Sequence, residues 1–490
     1  MQWPWSTKFA HLYKANNYLA VRQEKFPRWG KKEQLYYILC LAASGYKQAA
    51  LHYAHWLGKR VSSRKFILEA LPLLAVHLPA SALSWYNLHY ALVKKHYNSN
   101  WLLPLAGAAS AVGNLSMLKH LLVCLEQRDI RFTRKQQENL YFLEANYRTW
   151  LAEAVEDYVP RKVEHILKQE EPEVKKPRKV SYAYQALCHL WQSQGLASIP
   201  RSCPDLTFNL SQLESYTPSQ VSGPLVSIIV TCYNAEQTLL LAVNSLREQT
   251  YQNLEIIVID DASTQDIKSL INPVCQADAR VRYVRLPANI GTFGAKNLAL
   301  KLTNGQFVTT HDADDWAHPE KIARQVQPLL EHPELIATTS RWLKLDQEGI
   351  FTARLVYPLI RLNPASPLWR KELVLSKLGG WDWVRTGADS EFLARLKRAF
   401  GEKAVLNLQQ VLVLGNELAT SLMHDPKTGY SSLMGSAQRL TYLYAWQSFL
   451  TTARPEQLYY EPNYRAFAVP QALEINTANL AQDQEFITQL

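Results

Sequence analysis

Polar and acidic side chains crowd three short stretches, each closing an apolar run. Thr231-Cys232-Tyr233-Asn234 end the run that begins at Val226. Asp260-Asp261-Ala262-Ser263 follow Glu255–Ile259, and His311-Asp312-Ala313-Asp314-Asp315 follow Gln306–Thr310. One Asp-Asp pair behind a strand is most simply a helix N-cap. Three such ends on one sheet edge point to a ligand, because open α/β sheets bind ligands beyond the carboxyl ends of their strands. Asp312, Asp314 and Asp315 put three carboxylates into four residues, which is costly without a cation. Oxygen ligands on a turn suit Mg²⁺ or Mn²⁺, ions that share their shell with substrate phosphates. Neither G-x-G-x-x-G nor G-x-x-x-x-G-K-[ST] follows the first run, so a phosphate here is neutralised by a metal and by a cation such as Lys296 or Arg285.

The elements that must carry these residues are strands over Val226–Thr231, Glu255–Ile259, Val281–Leu286 and Gln306–Thr310. Helical patterns lie between them at Glu236–Gln249, Gln265–Ile271 and Gly294–Leu302, and another follows at Pro319–Leu330. Alternation of this kind predicts an α/β fold with a mostly parallel sheet flanked by helices. Residues 1–158 read instead as an all-α domain, with apolar positions recurring at three and four, as in Leu35, Ile38, Leu39 and Ala42. Breaks at Gly45, Pro79 and Gly113 are evenly spaced (79 − 45 = 113 − 79 = 34), the tetratricopeptide period. A helical-hairpin repeat and an irregular bundle both fit. Residues 159–222 read as a charged linker and short helical connection, 223–420 as the α/β domain, and 421–490 as a C-terminal helical extension.

Of 490 residues, 47% are apolar and 20% charged, which excludes a disordered or collagen-like chain. Charge is uneven. Residues 1–220 hold 28 Lys/Arg against 16 Asp/Glu (+12), and residues 221–490 hold 25 against 27 (−2). The basic half suits an anionic membrane surface, a charged glycan or a protein partner, a plain solvated surface fits this charge density equally well, and no nucleic-acid motif accompanies it. Six scattered cysteines and no apolar leader run among the first 25 residues fit a reduced, cytoplasmic protein. Trp101–Leu118 is free of charge for 18 residues, but Pro104, Gly107 and Gly113 make it a buried helix–turn–helix rather than a membrane span.

Four ordered motifs carry a resemblance: Val226–Asn234, Ile259-Asp260-Asp261-Ala262-Ser263, Asn289-Ile290-Gly291 with Lys296-Asn297, and His311-Asp312-Ala313-Asp314-Asp315-Trp316. Together they resemble the inverting family 2 glycosyltransferases of GT-A fold, over roughly residues 224–400. The resemblance implies that Thr231, Tyr233, Asn234, Asp260 and Asp261 hold the nucleoside and that Lys296 stands near the diphosphate. Asp312-Ala313-Asp314 takes the place of the D-x-D motif, touching ribose and metal-bound diphosphate. Asp315 is a further candidate, and His424 would complete the metal shell. Asp389 matches the family's base. Ala388 stands where the family usually has Glu, so the contact that Glu makes with the acceptor is open to Glu391. Trp381 and Asp382 fall in the same acceptor-side region; Trp316, Trp381 and Trp383 could offer flat faces to sugar rings, but a tryptophan near a strand end is more often core packing, and only for Trp381 do the two readings stand level.

The expected activity is a metal-dependent (Mn²⁺ or Mg²⁺) inverting transfer from a nucleotide-sugar, a UDP-sugar being favoured, to a hydroxyl of a glycan or lipid-linked acceptor in bacterial surface-polysaccharide assembly. The expected location is the cytoplasm, at or near the inner membrane face. A sugar hydroxyl is a weak nucleophile at neutral pH, so the chemistry needs a carboxylate base. A non-catalytic scaffold and a sugar nucleotidyltransferase are the alternatives; the second lacks its Gly-rich basic loop after the first strand.

Overall fold

Val226–Cys232 forms strand β1 and Leu254–Asp260 forms β2, and every residue of both is buried. Buried, mainly apolar runs of this kind belong to strands covered on both faces. The structure is a computed structural model that describes residues 30–43, 46–127, 130–153, 181–203, 208–216, 219–353, 356–418, 421, 428–431, 434–462 and 466–490. Gly45, His424 and the charged stretch expected at 159–180 lie outside the described residues.

Strand β3 (Val281–Arg285) pairs parallel with β2, and β4 (Phe307–Asp312) pairs parallel with β1 on its other side. These four strands and the helices after them fall where the sequence pattern puts them. The second half of the sheet adds β5 (Asp315–Ala317), β6 (Ala337–Leu345), β7 (Phe351–Thr352), β8 (Arg361–Leu362), β9 (Leu368–Arg370) and β10 (Val405–Asn416), in the order β3-β2-β1-β4-β9-β6-β10-β5, with β7 and β8 on β6. Here pairing is mixed: β9 is antiparallel to β4 and β6, β10 is parallel to β6, and β5 is antiparallel to β10. Most of these strands are two or three residues long, too short to carry a readable period.

Alternate residues of the central strands enter different cores, as the pleat requires. Ile228, Val230, Ile256 and Val258 meet the helices Leu239–Arg247, Ile267–Ala277 and Lys321–Glu331, while Ile229 and Ile259 meet Thr292–Leu300. That second face is completed by Asp389–Phe400, Ala437–Thr452 and Thr477–Gln489. The helices Ala437–Thr452 and Thr477–Gln489 are thus built into the core beneath the sheet.

Upstream, helices pair in sequence: Lys31–Ala43 with Lys47–Gly58, Arg64–His77 with Pro79–Leu88, Ser99–Ala111 with Leu115–Leu125, and Arg134–Glu153 with Tyr182–Ser193. Each pair packs on the next. The first helices begin 33, 35 and 35 residues apart (64 − 31, 99 − 64, 134 − 99). Trp101–Leu118 is the expected buried helix and turn, and no helix among the described residues is long and apolar enough to cross a membrane.

These helices share one continuous core with the far half of the sheet. Phe142 meets Phe351 at 4.5 Å, Trp191 meets Trp316 at 6.0 Å, and Leu187 and Leu190 join the same cluster as Val411 and Leu414. Trp316 is therefore a core residue and not a sugar platform. The seam is also hydrogen-bonded. Asn146, fully buried, donates through Nδ2 to the Phe351 carbonyl oxygen (2.8 Å) and accepts through Oδ1 from the Phe351 N–H (2.7 Å). Asn139, two helical turns earlier, accepts from the Leu359 N–H at 2.7 Å.

Replacing Asn146 by Ala leaves both backbone groups of Phe351 buried without their partners, a loss of roughly 2–4 kcal/mol. Urea denaturation is expected to show a lowered midpoint for Asn146→Ala. Asn146→Asp, which buries a carboxylate against the Phe351 carbonyl oxygen, is expected to lose at least as much.

Candidate active site

The pairing register brings the candidate residues to one edge: Thr231 lies opposite Asp312 across β1 and β4, and Cys232 lies opposite Asp260 across β1 and β2. Thr231 is nearly buried at the strand end, whereas Tyr233 is 48% exposed on the rim. Asn234 has a left-handed backbone (φ 51°). Its Oδ1 accepts from the Thr264 N–H (2.9 Å) and Thr264 Oγ1 (3.1 Å), and its own N–H donates to Ser263 Oγ (2.9 Å). Asn234, expected to touch the nucleotide, thus staples the loop after β1 to the loop after β2.

The acidic pair of β2 is also built inward. Asp260 accepts from the Ser263 N–H (2.8 Å) and Tyr283 Oη (2.7 Å), with Arg285 Nε at 3.6 Å. Asp261 accepts from the Ile290 and Gly291 N–H groups, both at 2.8 Å, while Asn289 Nδ2 donates to the Asp261 carbonyl oxygen (2.9 Å). Burial pushes the Asp261 carboxyl up to about 7, against the pull of these two N–H donors and of Arg385. Gly291 (φ 84°) is required, since a Cβ there would stand 2.5 Å from Arg385 Cα. Both carboxylates fix loops at this edge, Asp260 the turn at Ser263 and Asp261 the chain at Ile290 and Gly291.

Lys296 lies on Thr292–Leu300 with its side chain fully buried. Its Nζ is 3.5 Å from Asp389 Oδ1 and 3.6 Å from Asp312 Oδ1, and 4.9 Å from the centre of the Phe293 ring. Burial works against the ammonium, but Asp389 and Asp312 outweigh it and hold it above its ordinary value. The magnitudes agree: desolvating an ion costs several kcal/mol, and each carboxylate near 4 Å returns about 4 kcal/mol at an effective dielectric of 20. Asp389 opens the helix Asp389–Phe400, and about a quarter of its side chain is exposed. Burial raises its carboxyl, with Asp312 adding to the rise and Lys296 and Arg439 opposing it. A carboxylate so placed has an elevated proton affinity and, like Asp312, keeps part of its side chain exposed.

In the acidic turn, Asp312 keeps about a third of its side chain exposed. Burial, then the charge of Asp312, pushes Asp314 up to about 6. Asp315 corrects the expectation of a third metal ligand. It is buried in β5 beside Gly415 and raised well above a carboxylate's usual range, first by burial and then by Asp314 and Asp312. Lys344 and Lys296 oppose that rise, and Asp315 in turn draws up the fully buried Lys321, which burial lowers to about 7. Among the described residues no three His, Cys, Asp or Glu side chains converge into a metal shell. What fits a divalent cation is the pair Asp312 and Asp314, whose mutual repulsion a cation relieves and which leaves most of a shell to a substrate's phosphate oxygens.

The acceptor-side expectations are corrected too. Trp381 packs against Phe392 (5.0 Å) and Trp369 (5.9 Å), and Trp383 is likewise buried. The Asp382 carboxylate accepts from Tyr442 Oη at 2.7 Å. Glu391 is fully buried in a bidentate pair with Arg395 (2.7 and 3.1 Å), so it neither meets an acceptor nor sits in solvent. Arg395 also donates to the carbonyl oxygens of Leu378, Gly380 and Leu458 and stacks over Tyr460 at 3.7 Å. Its spacing, four after Glu391, is the signal that betrays the pair in sequence. Arg385, which bonds Asn289, and Arg439, which donates to Thr386 Oγ1 (2.8 Å) and acts on Asp389, are site cations that no motif marks.

Residues 227–386 match the family described as Glycosyl transferase family 2. The chain is 36% identical over 126 residues to a Haemophilus influenzae protein named as an uncharacterized glycosyltransferase, covering 26% of this chain and 50% of that one. It is 39% identical over 131 residues to the Escherichia coli UDP-Glc:alpha-D-GlcNAc-diphosphoundecaprenol beta-1,3-glucosyltransferase WfaP, covering 26% of this chain and 51% of that one. The chain spans about half the length of these two curated relatives. Among solved structures, S. aureus TarS 1-349 in complex with UDP-GlcNAc aligns at 17% identity with a TM-score of 0.37, over 47% of this chain and 68% of that one.

Glu391→Gln removes one charge of a fully buried pair and strands the guanidinium, a change that costs about 3–5 kcal/mol. Thermal unfolding should detect it; an unchanged midpoint would rule out Arg395 as the tie between this helix and the chain around Gly380 and Leu458.

Proposed function

Because residues 227–386 form a Glycosyl transferase family 2 domain, we propose that the protein is a metal-dependent, inverting glycosyltransferase that moves a sugar from a nucleotide-sugar to a hydroxyl of a glycan or lipid-linked acceptor. The observation that carries the reading is the convergence of Asp389, Lys296 and Asp312 at the open end of β1 and β4. Asp389, raised by burial yet paired with Lys296, takes the proton of the acceptor hydroxyl as it attacks the anomeric carbon. Attack opposite the leaving group inverts that centre. Tyr233 and Thr231 meet the nucleoside within the frame built by Asp261 and Asn234. Lys296 faces the charge that develops on the departing diphosphate. Asp312 and Asp314 would hold Mn²⁺ or Mg²⁺, which would supply positive charge to the same diphosphate.

A UDP-sugar is the favoured donor and a lipid diphosphate-linked glycan the favoured acceptor, supported by the name of the E. coli relative. In this reading the helical hairpins from Lys31 to Ser193 are a tetratricopeptide-like module and the sheet from Val226, with the helices up to Gln489 that pack beneath it, is the transferase, at work in surface-polysaccharide assembly at the cytoplasmic face of the membrane.

The test is nucleoside diphosphate release from a panel of UDP-, GDP- and dTDP-sugars with Mn²⁺ or Mg²⁺. Turnover with one donor is expected, with Asp389→Asn lowering the rate about 10²–10⁴-fold while donor binding persists. Donor neither bound nor consumed across the panel would sink the reading. Asp314 sets a pH dependence. Its carboxyl, raised to about 6, is protonated below that value and cannot bind a cation. Apparent Mn²⁺ affinity in the presence of UDP is therefore expected to fall as pH drops through about 6 and to level off above it. Titration calorimetry at several pH values reads this slope, which Asp314→Ala should remove along with most of the affinity.

A further inference from the structure

The turns at one end of the helical hairpins meet one another. His89 Nε2 bonds the Gly58 carbonyl oxygen (3.0 Å), and Arg64 Nη1 meets His96 Nε2 (2.7 Å), so the turn after Lys47–Gly58 and the turn after Pro79–Leu88 form one surface. The next turn joins it through Ser99 Oγ, which donates to the Arg131 carbonyl oxygen at 2.8 Å. Six cations stand exposed here: Lys59, Arg60, Arg64, Lys65, Lys94 and Lys95. Residues 46–127 hold eight Lys/Arg against two acidic residues, Glu69 and Glu126. Between the cations three large apolar side chains face outward, Leu88 at 56%, Tyr90 at 38% and Leu92 at 41% exposed. Lys94 Nζ lies 5.9 Å from the centre of the Tyr90 ring. The chain enters at the same end, where Lys31 Nζ donates to the Arg60 carbonyl oxygen at 3.0 Å. The preceding 29 residues carry five Lys/Arg, one Glu and three Trp in sequence.

Scattered exposed leucines mean nothing singly. Leu88, Tyr90 and Leu92 are not scattered: they fall within five residues, at the end of Pro79–Leu88 and in the short helix Tyr90–Val93 that follows it, with Lys94 and Lys95 next in the chain and the Gly58 turn bonded to His89 between them. A bilayer interface takes this combination, apolar and aromatic tips entering the headgroup layer while ammonium and guanidinium groups stay with lipid phosphates. An acidic protein would answer the cations alone and leave the apolar tips in water. We propose that this end of the helical region docks the protein on an anionic bilayer. The proposal deepens the reading of a lipid-linked acceptor and rests on it only for its purpose; the surface itself depends on the transferase for nothing.

Flotation of the full chain with vesicles tests it, using phosphatidylcholine alone and phosphatidylcholine with about one-third phosphatidylglycerol, at low and at roughly physiological salt. The protein is expected to float with the anionic vesicles only, and less so at the higher salt. Lys94→Ala/Lys95→Ala should lower the partition coefficient about 30-fold, as follows from the stabilisation each surface cation supplies. Leu88→Ser/Leu92→Ser should lower it about 10-fold or more at both salt concentrations. Equal flotation with neutral and anionic vesicles, no flotation with either, or both variants floating like the parent would overturn the proposal. UDP-sugar binding measured on the same samples keeps the two readings apart. Intact flotation without donor binding counts against the transferase, and donor binding without flotation counts against the membrane surface.

Discussion

One buried ammonium organises the site. Lys296 cannot remain charged in the interior unless both Asp312 and Asp389 approach it, and those residues end β4 and begin Asp389–Phe400, some 77 residues apart (389 − 312). The adjoining residue enforces the approach. Asn297 donates through Nδ2 to the Trp381 carbonyl oxygen (3.0 Å) and accepts from the Trp381 N–H (2.9 Å), clamping the Gly379-Gly380-Trp381 turn to the Lys296 helix. Arg395 closes the frame from the other side through the Gly380 carbonyl oxygen. Buried charges paired this fully fix a unique arrangement more than they add stability.

The same economy of polar groups governs the loops around the donor side. Asp260, Asp261 and Asn234 each saturate backbone N–H groups or hydroxyls that would otherwise be buried unpaired. Asn234, Asp260 and Asp261 thus set backbone positions at the strand ends, where Tyr233, Asp312, Asp314 and Asp389 keep part of their side chains exposed. The helical region is tied into this frame. Asn146 holds Phe351 in β7, and Thr352 pairs with Lys344, whose ammonium acts on Asp314 and Asp315.

Much of the fold was legible in sequence because its signals are local. β-Branched runs mark β1 to β4, the three-and-four spacing of Leu35, Ile38 and Leu39 marks a helix, and the near-34-residue spacing of helix starts follows the breaks at Pro79 and Gly113. The short strands β5 and β7 to β9 were illegible because their stability comes from neighbours supplied by distant segments. The buried state of Glu391 was hidden for a like reason: a carboxylate in the first turn of a helix suits solvent equally well until Arg395 and the chain at Leu458 close over it.

The sequence by itself determined residue types and their order: carboxylates at the carboxyl ends of parallel strands, a lysine one helix later, a basic helical half. Those follow from composition and period, which act over a few residues. Only the tertiary structure decided which carboxylates face the opening and which are spent inside, making Asp312 and Asp389 partners of Lys296, Asp315 a partner of Lys321, and Trp381 a core residue. Desolvation and charge pairing are set by what packs around a group, and the groups packed around these arrive from segments tens to hundreds of residues away.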